Sequence, residues 1–241
     1  MPSTTSTAAD PSEPSSAASG AQTLDRGLRI LELLADNPDG MLVNDLAVAL
    51  SVHRAVVYRL VNTLTARRMT IRGDDGRVRL WTGVVRLARG VFSELRLAAL
   101  PELERLAEDL GATATLTVAD GDEAVVIAAV EPKNTPIHVA YRPGLRHPLD
   151  LGASGKAILA GHPPRPGEAA EINSARRRGY ALTQGELQKG AVGLAAPVRI
   201  GTAAPDASVG VVSLGALGDA DARRVVAAAE HISAVLTEQS A

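Results

Sequence analysis

No cysteine occurs anywhere in the chain. That excludes disulfides and thiolate metal sites, and it fits a reducing, cytoplasmic setting. Aromatic residues are almost as scarce, at 2% of the sequence, with Trp81 and Phe92 the single examples of their kinds. Any core must therefore be built from Ala, Val and Leu, which the 46% apolar content can supply. No uninterrupted apolar run is long enough to span a bilayer, so no membrane partner is expected. Residues 1–20 are Ser, Thr, Ala and Pro with almost no large apolar side chain. They lack the basic start and apolar centre of a secretion signal and read as a disordered tail. His53, His138, His147, His162 and His231 are not spaced to share a metal on a helix. No metal or cofactor is expected. No Ser/His/Asp arrangement stands at recognisable spacing either, so an enzyme is not expected.

Lysine is missing from one stretch where positive charge is concentrated. Between Ser51 and Arg96 there are ten Arg and no Lys, against only Asp74, Asp75 and Glu94. That segment carries +7 in a chain of net charge −2, leaving −9 for the remainder. Such asymmetry marks where a polyanion would sit.

The pattern around those arginines gives the charge a shape. Leu24, Leu28, Leu31 and Leu34 recur at helical steps, predicting a helix over about Thr23–Asp36, stopped by Asn37-Pro38-Asp39-Gly40. Asn44 suits the N-cap of a short second helix with Leu46, Ala47 and Leu50 on its inner face. Ser51-Val52 makes a tight turn. A third helix, about His53–Arg67, puts Val57, Leu60, Val61 and Leu64 inward. Arg54, Ala55, Tyr58, Arg59 and Asn62 then point outward. In a helix-turn-helix this helix enters the major groove, where Arg reads guanine and Asn reads adenine. Taken alone, the outward set could equally be the solvated face of an amphipathic helix. Two β-prone segments, Met69–Arg72 and Arg77–Leu80, flank an Asp75-Gly76 turn, a strong hairpin signal. A hairpin directly after a recognition helix is a wing, with Arg72, Arg77 and Arg79 available to phosphates or the minor groove.

At Leu28–Leu34, Asn44–Ala47, Val57–Leu60 and Asp75–Leu80 the chain resembles the IclR family of bacterial transcriptional regulators. Further matching segments follow in order at Pro101–Ala107, Gly155–Leu159, Arg178–Ala181 and Ala195–Val198, so the likeness runs from about Ala21 to Leu236. There are departures. His53-Arg54-Ala55-Val56 stands where the family often has Pro-Lys-Ser-Thr, and Met69-Thr70-Ile71 stands for Gly-Tyr-Val before the wing. The segment from Ala160 to Arg176 is shortened, and Gly193 replaces a common cysteine.

After the wing, Gly83–Leu100 reads as a linker helix, with Val84, Leu87, Val91 and Leu95 along one edge, and Pro101 opens the next helix. Thr113–Ala119, Ala124–Val130, Ile137–Tyr141, Gly193–Ile200 and Ser208–Leu214 are β-prone. Helices are expected from Gly155, over Glu168–Arg178, and from Asp219 as N-cap to Thr237. This predicts an α+β domain on an antiparallel sheet, and the resemblance implies a GAF- or profilin-like one. The expected layout is a tail at 1–20, a winged helix-turn-helix at 21–82, a linker helix at 83–100 and an effector-binding domain at 101–241.

Leu151-Gly-Ala-Ser-Gly-Lys156 is not a phosphate loop, because its spacing puts Asp150 at the first glycine and Ala157 at the required hydroxyl. A Gly-rich turn into a helix still offers N–H groups to a carboxylate, though a plain helix entry has the same look. The resemblance implies effector contacts at Gly152, Ala153, Thr183, Ala191, Gly193, Ser213 and Gly215, to which the turn adds Ser154 and Gly155. The expected partners are a double-stranded DNA operator, a small organic acid and further copies of the chain as homodimer or homotetramer. Two other readings remain open: a constitutive repressor with a vestigial pocket, and a small-molecule-binding protein or enzyme using the helix-turn-helix for protein contacts.

Overall fold

The computed structural model describes residues 21–199 and 206–239. The tail expected at 1–20 lies outside the described residues. The chain divides between Val91 and Phe92 into two compact units. No helix among the described residues is long and apolar enough to cross a membrane.

The first unit contains α1 (Gln22–Asp36), α2 (Val43–Ala49), α3 (Arg54–Ala66), the hairpin β1 (Thr70–Arg72) and β2 (Val78–Leu80), and α4 (Thr82–Ala88). Ile30, Leu34, Leu46, Val57, Val61 and Val78 form its core. The buried face of α1 is Gly27, Ile30 and Leu34. Leu24 and Leu28 instead stand 62% and 50% exposed, so the expected leucine stripe is split between core and surface. The N-cap expected at Asn44 is also displaced. Met41 exchanges both backbone hydrogen bonds with Val78, at 3.0 and 2.8 Å, extending the wing ladder. Holding the chain extended as far as Leu42 lets α2 begin at Val43.

The expected linker helix over 83–100 is two helices. After α4 the chain turns through Arg89–Gly90, and Phe92 adopts a left-handed φ of 47° before α5 (Ser93–Leu110). Gly90 sits in the break, where helix propensity is lowest. Pro101 lies inside α5 rather than opening a helix. The hydrogen bond it cannot donate would have gone to Leu97, which is 73% exposed, so water can serve that carbonyl.

The second unit is a six-stranded antiparallel sheet in the order β5-β4-β3-β8-β7-β6. Its strands are β3 (Thr113–Asp120), β4 (Glu123–Val130), β5 (Arg146–Pro148), β6 (Ala181–Gln184), β7 (Val192–Val198) and β8 (Ala207–Ser213). Alternation along β3 sets the layers. Ala114, Leu116 and Val118 join the core formed with α5 and α8 (Asp219–Gln239). Thr113, Thr115 and Thr117 project to the opposite face, where α6 (Gly152–Gly161) and α7 (Ala170–Arg178) pack through Ala153, Ala157, Ile172 and Ala175. Close backbone approaches fix two glycines. A Cβ added at Gly210 would stand 2.5 Å from the Leu194 carbonyl oxygen, and one at Gly155 only 2.3 Å from that of Leu149.

Three details differ from the sequence expectation. Ile137–Tyr141 is not a strand; Val139 is buried against Ala191 and Val212, and its carbonyl accepts from Thr113 Oγ1 at 2.6 Å, so the segment caps the sheet instead of pairing with it. The strand at the edge beside β4 is β5. The strand β6 is too short and mixed to stand out in the sequence, and it forms because β7 is there to pair with it. Asp219 is the first residue of α8, not its cap. The Gly218 carbonyl accepts from the N–H of Asp221 and Ala222, while Asp221 Oδ2 accepts from the Gly218 N–H at 2.9 Å.

Candidate nucleic-acid interface and effector pocket

Helix α3 holds its inner residues against α1 and α2 and leaves Arg54, Ala55, Tyr58, Arg59 and Asn62 exposed on one side. Among the described residues, neither Arg54 nor Arg59 has a side-chain partner. The wing arginines behave differently. Arg72 donates to the Tyr58 hydroxyl, and its guanidinium lies 5.3 Å from the centre of the Tyr58 ring. This ties the wing to the exposed face of α3. Arg79 makes a two-pronged pair with Asp75, at 3.1 and 2.5 Å, and Arg77 donates to the Gly40 carbonyl at 2.8 Å. The Arg79 hydrogen bonds, with one from the Arg77 N–H, hold the Asp75 carboxyl down at about 2. The sequence treats the three wing arginines as equivalent; the structure pairs each of them within the unit.

In the second unit, the first turn of α6 meets the sheet face opposite α5 and α8 at a cavity of about 30 Å³. That is room for about two waters. Thr115, Thr183, Ala153, Ser154, Ala191 and Gly193 contribute to its walls, together with Tyr141 and the loop between β6 and β7. Thr115 and Thr183 are only 3% and 9% exposed. Neither hydroxyl has a hydrogen-bond partner among the described residues. Ser208 Oγ donates to the Ser154 carbonyl at 3.0 Å, fixing α6 to the sheet.

The loop over residues 185–190 closes the other side. Glu186 Oε2 accepts from the Gly152 N–H at 2.8 Å, and Glu186 Oε1 pairs with Lys156 Nζ at 2.7 Å. A carboxylate of the chain itself thus occupies the start of α6, as the positive end of the helix dipole favours. Leu187 packs on Gly152, whose φ is +77° and where an added Cβ would be 2.5 Å from Leu187 Cδ1.

Residues 23–70 match the IclR helix-turn-helix domain, and residues 92–170 match the family described as bacterial transcriptional regulator IclR C-terminal. The HTH-type transcriptional regulator BhcR of Paracoccus denitrificans is 30% identical over 206 residues, covering 74% of this chain and 72% of BhcR. The chain belongs to the IclR family. The DNA-binding transcriptional repressor YiaJ of Escherichia coli is also 30% identical, over 60% of this chain but only 52% of YiaJ. Among solved structures, an IclR homologue from Microbacterium hydrocarbonoxydans complexed with 4-hydroxybenzoate superposes with a TM-score of 0.79 at 24% identity, covering 90% of this chain and all of that one. An IclR regulator from Alicyclobacillus acidocaldarius gives 0.77 at 21% identity, covering 92% of this chain and all of that one. At such identities the structural likeness speaks for the fold alone. Membership makes the protein a DNA-binding transcriptional regulator with an effector-binding C-terminal domain, not an enzyme.

Within this IclR chain, the effector residues expected from the sequence divide. Ala153, Ser154, Thr183, Ala191 and Gly193 meet at the cavity. The Gly152 N–H is already taken by Glu186, and Gly155 is pressed against Leu149. Ser213 and Gly215 are not in the wall; the Gly215 N–H donates to Ser213 Oγ at 2.9 Å. Sequence reasoning missed Thr115, Tyr141, Glu186 and Gln188. A signal for Thr115 exists in Thr113-Ala-Thr-Leu-Thr117, a threonine at every second position of an otherwise apolar strand. Glu186 had none, because it meets its partner Lys156 only through the fold. The segment over 160–176 is braced: Arg176 pairs with both oxygens of Glu168, at 2.7 and 2.9 Å, and donates to the Leu159 and His162 carbonyls. Arg176 is thus held inside the unit by side-chain and backbone partners.

Proposed function

We propose that this regulator reads its operator through the exposed face of α3 and that a small organic acid in the C-terminal cavity alters operator affinity. Arg54, Tyr58, Arg59 and Asn62 have the chemistry for base edges, and Arg72 and Arg77 on the wing would meet the backbone, joined by Arg79 once its pair with Asp75 opens. The effector half rests on one observation: the start of a ten-residue helix opens onto a small cavity lined by two buried threonines whose hydroxyls have no partner among the described residues. The N–H groups of Ala153 and Ser154, in the first turn, have no intrahelical acceptor. A carboxylate suits those donors, and Thr115 and Thr183 suit a second polar group. The relative complexed with 4-hydroxybenzoate supports an acid as the class. A homodimer is part of this proposal, since two recognition helices then meet successive major grooves.

Selection of bound genomic fragments by the purified protein would give the operator. Thermal-shift screening of organic acids, repeated with Ala153→Trp, tests the pocket. The expected outcome is that the substitution abolishes the ligand response and leaves operator binding intact. A second reading, a constitutive repressor with a vestigial pocket, is favoured by the cavity volume of about 30 Å³, small beside the roughly 300 Å³ or more of ordinary ligand sites. A thermal shift with no acid, or an unchanged response in Ala153→Trp, would decide for it.

A further inference from the structure

Glu186 stands where an incoming acid would have to go. Its carboxylate is on the Gly152 N–H at 2.8 Å and on Lys156 at 2.7 Å, beside the Ala153 and Ser154 donors that line the cavity. A ligand carboxylate added there would put two like charges at one helix terminus in a poorly solvated site, which raises the energy of both. Lys156 and the helix start together balance one carboxylate well and two badly. The side chain of Lys156 is only 12% exposed and that of Glu186 26%, so water screens the pair weakly.

The same residue belongs to the segment that limits the cavity. Glu186, Leu187 and Gln188 all line it, and they lie between Gly185 and Gly190, with φ of +70° and +84°. Both glycines have open space around their Cβ positions. The loop is held at its base by Gly185 N–H to the Ala191 carbonyl, at 2.7 Å, and by Ala191 N–H to the Gln188 carbonyl, at 3.0 Å, while Glu186 and Leu187 hold its tip against the start of α6. Moving this loop away would release the Gly152 N–H and the Lys156 ammonium, beside the free Ala153 and Ser154 donors, and enlarge the cavity together. Thr115, 97% buried and without a partner among the described residues, lines that space and suits a polar group there.

We infer that Glu186 is an internal competitor for the acid subsite, so that effector binding requires its carboxylate to leave the start of α6 and the 185–190 loop to open. This rests on the acid-effector reading above. It makes Glu186 a specificity-determining residue: only an acid that interacts with α6 and Lys156 better than the tethered carboxylate does will open the loop.

The test uses the full chain, Glu186→Gln and Glu186→Ala, titrated calorimetrically with monocarboxylates from acetate to 4-hydroxybenzoate. Hydrogen exchange of the 185–190 segment is followed on the unsubstituted protein, so that part stands even if a variant folds poorly. The expected result is an acid that binds both variants at least tenfold more tightly than the parent and that raises exchange in 185–190 of the parent. An acid that binds parent and variants equally, with the loop no more exchangeable, would make Glu186 a fixed brace and overturn the inference while leaving the acid-effector reading intact. If none of the acids binds parent or variants, the acid-effector reading falls, and the competition with it.

Discussion

Arg59 and Arg79 are both wing-helix arginines in the sequence, yet they stand in different physical states. Arg59 is exposed on α3 and, among the described residues, paired with no acidic side chain, which leaves its charge unneutralised there. Replacing it with Ala should weaken specific operator binding by roughly 1–3 kcal/mol if it reads a base. Uniform weakening on all duplexes, with a flatter salt dependence, would reassign it to phosphate; unchanged affinity on every duplex would remove it from the interface. Arg79 is neutralised by Asp75. Asp75→Asn should therefore tighten binding to any duplex and steepen the salt dependence by up to about one unit, the contribution of one added phosphate contact. The pair also predicts a pH response. Asp75 titrates at about 2 in the folded protein against 3.8 ordinarily, so the stability it contributes is present above about pH 4 and is lost as the pH falls through about 2. A carboxyl-carbon NMR titration of Asp75 with its midpoint near 3.8 would mean that the pair does not persist in solution.

At the scale of elements, α6 is the part on which the C-terminal unit turns. It lies against β6, β7 and β8 through glycine and alanine, and Gly155 leaves no room for a methyl group beside the Leu149 backbone. Gly155→Ala should destabilise the protein by about 1–3 kcal/mol, because the obstacle is backbone and cannot rotate away. Thermal denaturation checks this, and a melting temperature equal to the parent's would show that α6 can shift. The α5–α8 pair offers a contrast. Burial pushes the Glu102 carboxyl up, but hydrogen bonds from Arg105 and His231 outweigh it and hold the group below the usual range. Glu102 thus contributes stability that is present above the unfolded carboxyl pKa and lost as the pH falls through the lowered one. Glu102→Gln should remove that part of the acid dependence.

For the whole molecule, the apolar surface outside the core matters most. Leu24 and Leu28 on α1, with Val85 and Leu87 on α4, are each at least half exposed, although all belong to strongly helical segments. Large apolar side chains left in water along two helices suggest a surface that another copy covers. A homodimer is the expected state, on a near-palindromic operator. Leu28→Glu should shift sedimentation toward monomer and reduce operator affinity while leaving the fold intact. A parent that sediments as a monomer at micromolar concentration, both free and on DNA, would rule the dimer out.

The DNA-binding unit was legible because its signals are local. Helical periodicity, a Pro-Asp-Gly stop and an Asp-Gly hairpin each act within a few residues, and α1, α3 and the wing follow them closely. The α+β character of the second unit was legible for the same reason, as was the outward set on α3. What the sequence could not contain were contacts between distant residues. Met41 pairing with Val78 moved the start of α2, burial of Val139 took Ile137–Tyr141 out of the sheet, and β6 exists only beside β7. The pocket is the clearest case. The turn at Gly152–Gly155 offers donors in the sequence, but the chain supplies its own carboxylate from 34 residues away. A helix terminus favours any nearby anion, and only the tertiary structure decides which one is near.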